Sequence, residues 1–208
     1  MHNNPHRAAW TVLIVAFVLF LGLAVALPFG VRKLLVNSTR GHHTAITLAA
    51  GTVYVTRPSV GVPEALFGTM ENLSAGARFE TENASRAAVS FASPDDQGTL
   101  GTIQLYGDTQ ATVVEMNTPR FQFSDRPHRI SMSLTRGRLR SSVALGIQRR
   151  VLMTIHTPQA EITLKRPGSY SVEVQENQTL VAVRDGIATV TAPVSYTHLR
   201  AHETEAEL

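Results

Sequence analysis

Hydrophobic and polar positions along the chain fall into two regimes. Residues 8–27, AAWTVLIVAFVLFLGLAVAL, run for 20 positions without a charge. At about 1.5 Å per residue such a helix reaches about 30 Å, the thickness of a bilayer's hydrocarbon core. A transmembrane helix is therefore expected, with Trp10 near one interface, Pro28 and Gly30 ending the helix, and Arg32 and Lys33 marking its exit into headgroups. A cleaved signal peptide competes, because Arg7 makes a basic start and AVA at 24–26 has a small-x-small form. The apolar run exceeds the roughly 7–15 residues of a signal core, which favours the anchor. Both readings send the following residues across the membrane. Basic residues at 32, 33 and 40 against Arg7 and the terminal amine favour the opposite topology when counted alone.

From residue 46 the pattern changes to short alternating stretches: GTVYV (51–55), AAVSF (87–91), GTIQLYG (101–107) and ATVVEM (111–116). The series continues with RFQF, RISMSLT, GRLRSSV, VLMTIHT, AEITLK, YSVEVQ, LVAVRDG and ATVTA. Alternation with period two is the signature of strands with one face buried. Between them stand turn-forming clusters, among them SPDDQG (93–98), DRPH (125–128), KRPG (165–168) and RDG (184–186). The one helical candidate is PEALFGTMENL (63–73), and Gly68 restricts it to a short helix at best. The expected fold class is all-β: a single antiparallel sandwich or roll, or a short β-solenoid, of about 10–13 short strands behind one transmembrane helix. The expected organisation is a tail at 1–7, a membrane helix at 8–27, a juxtamembrane linker at 28–45, a β-domain at 46–193 and a further tail at 194–208.

Composition narrows the chemistry. Cysteine is absent, so disulfides, thiolate zinc sites and cysteine nucleophiles are excluded. The net charge is +3, and the last 15 residues hold one arginine and three glutamates, leaving +5 for the rest. That mild excess suits contact with an anionic surface and falls short of a dedicated nucleic-acid binder.

No nucleophile elbow, phosphate-binding glycine loop or His-Glu-x-x-His helix occurs in the body. His42 and His43 stand together without a carboxylate at ligand spacing and read as solvated linker; His128 and His156 are isolated. Asp95 and Asp96 are two adjacent acids, too few for a calcium loop, and read as a turn. No metal site, cofactor or catalytic residue is expected, and the chain reads as non-enzymatic.

The richest charge feature is basic: Arg120, Arg126 and Arg129, then Arg136, Arg138 and Arg140, then Arg149 and Arg150. In RGRLR (136–140) the arginines alternate, so on a regular strand Arg136, Arg138 and Arg140 share one face and form a stripe able to engage an anionic polymer. A solvated sheet face that discourages edge pairing is the plainer reading. No aromatic residues are interleaved there, which disfavours nucleic acid as the partner.

LSAGARFETENASRAAVSF (73–91) resembles the pattern of FecR domains, in which a leucine and glycine precede a threonine, then S-R-A and an alternating strand. AGTVYV is similar to that family's opening strand, GTIQLYGDTQATVV to its strand pair, LTRGRLR to its later L-x-x-G-x-L, and TPQAEITLKRPGSYSVEV with LVAVRDGIATV to its closing segment. The resemblance spans residues 46–193 and rests on the order of these elements. It implies an extracytoplasmic β-module of the bacterial cytoplasmic membrane that binds a protein partner or an envelope polymer without catalysis. It also implies an alternative, a transmembrane signalling subunit of a sigma-factor regulatory system. Two departures are present: the iron-transport regulators of that family carry a longer cytoplasmic region than seven residues, and the usual DGS turn is replaced by SPDDQGT. Gly51, Gly76, Gly137 and Gly186 stand where strands begin or turn, positions that call for positive φ or close backbone approach.

Residues 194–204, VSYTHLRAHET, match one reading frame of a transposase-end sequencing adapter. His198 and His202 are four apart and would stack on one helix face with Glu203 nearby. The adapter match makes an assembly artefact the expected origin of this pair, with natural sequence continuing beyond Pro193.

Overall fold

The computed structural model describes residues 5–94, 98–121, 123–144, 149–192 and 196–200. Their contacts define two compact units, Met1–Ser38 with Pro119–Ser124, and Thr39–Thr118 with Asp125–Leu208.

The first unit is built on α1 (Pro5–Asn37). Within its Ala9–Asn37 stretch an 18-residue window reaches a mean hydropathy of 2.9 with no residue of that window buried, so this helix is long and apolar enough to cross a membrane. It does not end at Pro28 and Gly30 as expected: Pro28 lies inside the helix. A proline removes one backbone hydrogen bond and kinks the helix, but apolar segments outside water keep their other bonds and continue. Residues 28–37 are therefore helix, not linker. The helix end is closed by Ser38 N donating to Leu35 O at 3.2 Å, Arg120 N to Ser38 O at 2.9 Å and Ser124 Oγ to Val36 O at 3.2 Å. These donors satisfy carbonyls that the last turn leaves without intrahelical partners. RFQF (120–123) was expected as a strand; its described residues form a bend and turn serving that closure.

The second unit is all-β. Its strands are β1 (Thr39–Gly41), β2 (His43–Ala50), β3 (Val53–Thr56), β4 (Pro63–Ala65), β5 (Thr69–Met70), β6 (Arg78–Thr81), β7 (Arg86–Ala92) and β8 (Thr99–Leu105). They continue with β9 (Gln110–Pro119), β10 (His128–Val143), β11 (Val151–His156), β12 (Glu161–Leu164), β13 (Gly168–Val174), β14 (Thr179–Asp185), β15 (Ile187–Thr191) and β16 (Tyr196–Arg200). The strands begin at Thr39, so the linker expected up to residue 45 is already part of the sheet. Residues 63–73 form β4 and β5 in place of a short helix. The strands outside the expected series are the short β1, β4 and β5, too short to show alternation, together with β2, β6 and β16.

The strands form a mostly antiparallel sheet curled into a half-barrel, with β10 and β11 paired in parallel. β10 belongs to both of its layers. Its first part pairs with β9 and β11, and its second with β8 and β13. Side chains from the two parts meet in one core, where Ser141 Oγ donates to Met153 Sδ at 2.8 Å. Phe79, Phe91, Ile103, Leu134, Leu139 and Ile155 are fully buried there. Tyr170 is buried with them; its hydroxyl donates to Arg166 O at 2.6 Å and accepts from Ile187 N at 3.1 Å, tying the turn before β13 to the start of β15. All four glycines singled out by position have positive φ: 74° at Gly51, 89° at Gly76, 84° at Gly137 and 102° at Gly186.

Tyr196–Arg200 pairs with β15 as β16, so His198 stands in a strand and the helical stacking of imidazoles does not arise there. His202 lies outside the described residues, as do Asp95 and Asp96.

Candidate functional site

The site follows from how β10 changes layers. Its register on β9 steps from Leu134 opposite Ala111 to Arg136 opposite Gln110, a bulge that leaves Thr135 and Arg136 both exposed. Gly137 then takes its left-handed φ, and from there β10 pairs with β13, Arg138 standing opposite Glu173 and Arg140 opposite Ser171. The regular alternation is thus interrupted between Leu134 and Arg136, just before Gly137. Of the three arginines of the expected stripe, Arg138 and Arg140 line a common concavity, and Arg136 is not among its lining residues.

That concavity measures about 380 Å³, and Tyr106, Ser169 and Arg184 also line it. The Arg138 guanidinium lies 4.3 Å from the Tyr106 ring centroid, and that of Arg86 lies 5.6 Å from the same ring. Arg140 Nε donates to Ser169 Oγ at 3.1 Å. β10 and β14 thus bring Arg138, Arg140 and Arg184 to the concavity, and Arg86 of β7 stands beside Tyr106, which follows β8. Among the described residues, none of these four arginines has a carboxylate oxygen within 4 Å; even Arg138, opposite Glu173, turns to Tyr106 instead. A guanidinium over an aromatic face keeps in-plane N–H donors available. The arrangement can donate several charge-assisted hydrogen bonds to carboxylate, sulfate or phosphate groups. It holds no nucleophile beside a base and no facing pair of carboxylates.

Sequence reasoning missed Arg86, Tyr106 and Arg184. Each is isolated in the chain, and only sheet pairing places it beside Arg138. Aromatics are absent from the 136–140 stretch itself, yet one is supplied from across the sheet.

The histidines are distributed differently from expectation. His42, expected as solvated linker, is only 6% exposed, and neither ring nitrogen has a hydrogen-bond partner. Its ring centroid is 5.7 Å from that of His128, whose Nδ1 lies 2.6 Å from Thr118 Oγ1. Burial first, and the neighbouring His128 second, lower the His42 pKa to about 4. His43 is exposed. His156 Nε2 lies 2.9 Å from Ser131 Oγ and its Nδ1 3.6 Å from Glu161 Oε2. No group of three or more histidine or acidic side chains placed to hold a metal occurs among the described residues.

No family model matches the chain, and no curated protein matches it. Two crystal structures, at 2.50 and 1.65 Å, of a candidate anti-sigma factor from Parabacteroides distasonis ATCC 8503 are similar to it, with TM-scores of 0.40 and 0.41 and identities of 18% and 17%. Each similarity covers 62% of this chain, and the chain spans 56% and 57% of those proteins.

Proposed function

We propose that this chain is a membrane-anchored, extracytoplasmic β-domain that binds an anionic envelope polymer, or an acidic segment of a protein partner, on the arginine cluster, without catalysis of its own. The observation that carries this reading is that Arg138, Arg140 and Arg184 line one concavity, with Arg86 beside its Tyr106, and that among the described residues none of the four has a carboxylate oxygen within 4 Å. Confining four positive charges costs electrostatic free energy, and an anionic ligand recovers it. The apolar α1 and the FecR-like order of motifs support anchoring and an extracytoplasmic place.

The test uses the full chain in detergent micelles and heparin as a model anionic polymer. The triple variant Arg138→Gln, Arg140→Gln, Arg184→Gln is expected to weaken binding at least about thirtyfold, since charge-assisted bonds contribute more than 1 kcal/mol each. Wild-type affinity should fall steeply between about 0.1 M and 0.5 M salt. The thermal midpoint should stay within about 2 °C, because solvated charges contribute little to stability. Arg136→Gln is expected to bind like wild type, which separates the concavity from a strand-face stripe. Unchanged binding in the triple variant would sink the proposal.

The second reading is the sigma-factor regulatory subunit. It is supported by the FecR-like order of motifs. Co-purification of a sigma factor with the full chain, lost when residues 1–7 are deleted, is its expected result. Recovery of the chain without any sigma factor would remove it.

A further inference from the structure

Among the described residues, β14 (Thr179–Asp185) pairs with β13 alone, so its other edge presents a row of backbone amides and carbonyls to a further strand. It is seven residues long, whereas the outer strands β1, β4 and β5 run two or three residues. β16 lies in the adapter-matching tail and pairs with β15, not with β14. Residues 180–183 carry no charge and no proline, the usual devices that keep an open edge from pairing. We propose that the β14 edge takes up an extended acidic peptide as an added strand, with its carboxylates reaching Arg184 and Arg140 across the concavity. The inference rests on the arginine cluster as an anion site and names its ligand, a strand of a protein partner.

Register decides where the charges fall. Leu180, Ala182 and Arg184 are exposed and alternate with Val181 and Val183, which are half-buried against the core. Ala182 stands opposite Ser171, and Ser171 opposite Arg140. All three line the concavity with Arg184, and the small side chains of Ala182 and Ser171 leave its floor open. Strands lie about 4.8 Å apart, so an added strand runs about 14 Å from β10, a gap that a glutamate and an arginine reaching toward each other span. Arg140 already leans that way, its Nε donating to Ser169 Oγ of β13. A second carboxylate two residues along the peptide, about 7 Å away, meets Arg184. The far end of the edge disfavours acid: Leu180 stands opposite Glu173, and Glu176 lies in the bend between β13 and β14. Leu180, 47% exposed, offers apolar contact there instead. Asp185, exposed beyond Arg184, bounds the acidic stretch on its other side. Backbone pairing then supplies affinity and this charge pattern supplies specificity.

The test uses the full chain in detergent micelles and a dye-labelled synthetic peptide of eight residues, threonine alternating with leucine, glutamate, glutamate and leucine. Fluorescence anisotropy is expected to show saturable binding. The same peptide methylated on every backbone nitrogen keeps both carboxylates and loses its ladder donors, and should bind at least about tenfold more weakly. Arg184→Glu should weaken the parent peptide by at least about tenfold, through loss of a charge-assisted bond and a new repulsion. Hydrogen exchange in residues 179–185, read by mass spectrometry, should slow at least about fivefold at saturation. Heparin binding without peptide binding, or equal binding of the parent and methylated peptides, would overturn the added strand and leave the arginine cluster as a polymer site. Slowed exchange that spares 179–185 would overturn it too. Failure of both heparin and the peptide to bind would overturn the cluster reading, and the strand proposal with it.

Discussion

Gly137→Ala is expected to destabilise the β-domain by about 3 kcal/mol, the sum of a left-handed backbone cost of about 1–2 kcal/mol and overpacking of similar size. The φ of +84° is one that a side chain rarely adopts, and a Cβ there would lie 2.5 Å from Thr109 Cα and 2.7 Å from Asp108 O. Both obstacles are backbone, so neither can yield by changing rotamer. Thr109 is fixed in turn: its Oγ1 donates to Arg138 O at 3.1 Å and accepts from Arg138 N at 3.0 Å. In a chain of 208 residues a loss of that size lowers the thermal midpoint by about 6–12 °C. Gly61→Ala supplies the comparison, since φ is +71° there but nothing lies within 4 Å of the added methyl. Its expected cost is the backbone term alone, about 1 kcal/mol. Equal losses in urea unfolding of the two variants would show that the crossing at Gly137 is not tight. The same substitution should also weaken polymer binding, because Gly137 is where β10 leaves one layer for the other and delivers Arg138 and Arg140 to the concavity.

Acidification is expected to cost the β-domain about 3 kcal/mol through His42. Its folded pKa is lowered from 6.5 to about 4 by burial and by His128. The unfolded chain therefore binds a proton at His42 between those two values while the folded chain does not, and stability rises with pH across that window. The stability is fully present above about pH 6.5, falls as pH drops, and is lost once pH passes the folded value of about 4. A difference of about 2.5 units at 1.36 kcal/mol each gives the stated size. Urea unfolding at pH 7, 5.5 and 4 measures the limb. Carboxylates titrate at its lower end, so the diagnostic quantity is the difference from His42→Leu, in which the His42 part of the limb should vanish. An acid limb of the same steepness in that variant would place the sensitivity elsewhere.

Much of the β-domain was readable because burial of one sheet face forces alternation. VLMTIH became β11 with a strictly alternating burial pattern, and RAAVSFA became β7 in the same way. Four positions of positive φ were readable because glycine takes such backbone without strain, whereas those at Asn72, Ala84 and Asp108 were not. The fusion of 129–135 and 137–143 into one strand was not, since a glycine there is equally compatible with a turn between strands. Nor was the burial of His42, whose polar side chain beside a second histidine looks like linker until the fold sets it against His128.

The sequence by itself determined the apolar helix, the all-β class and the turn positions, because each depends on residues near one another in the chain: a charge-free run, a period of two, a glycine between strands. Only the tertiary structure decided the candidate site. Arg86, Tyr106, Arg138 and Arg184 become neighbours through strand pairing between β7, β8, β10, β13 and β14. Strand register is set by how all the buried faces fit at once, and that condition is not written in any one stretch of the chain.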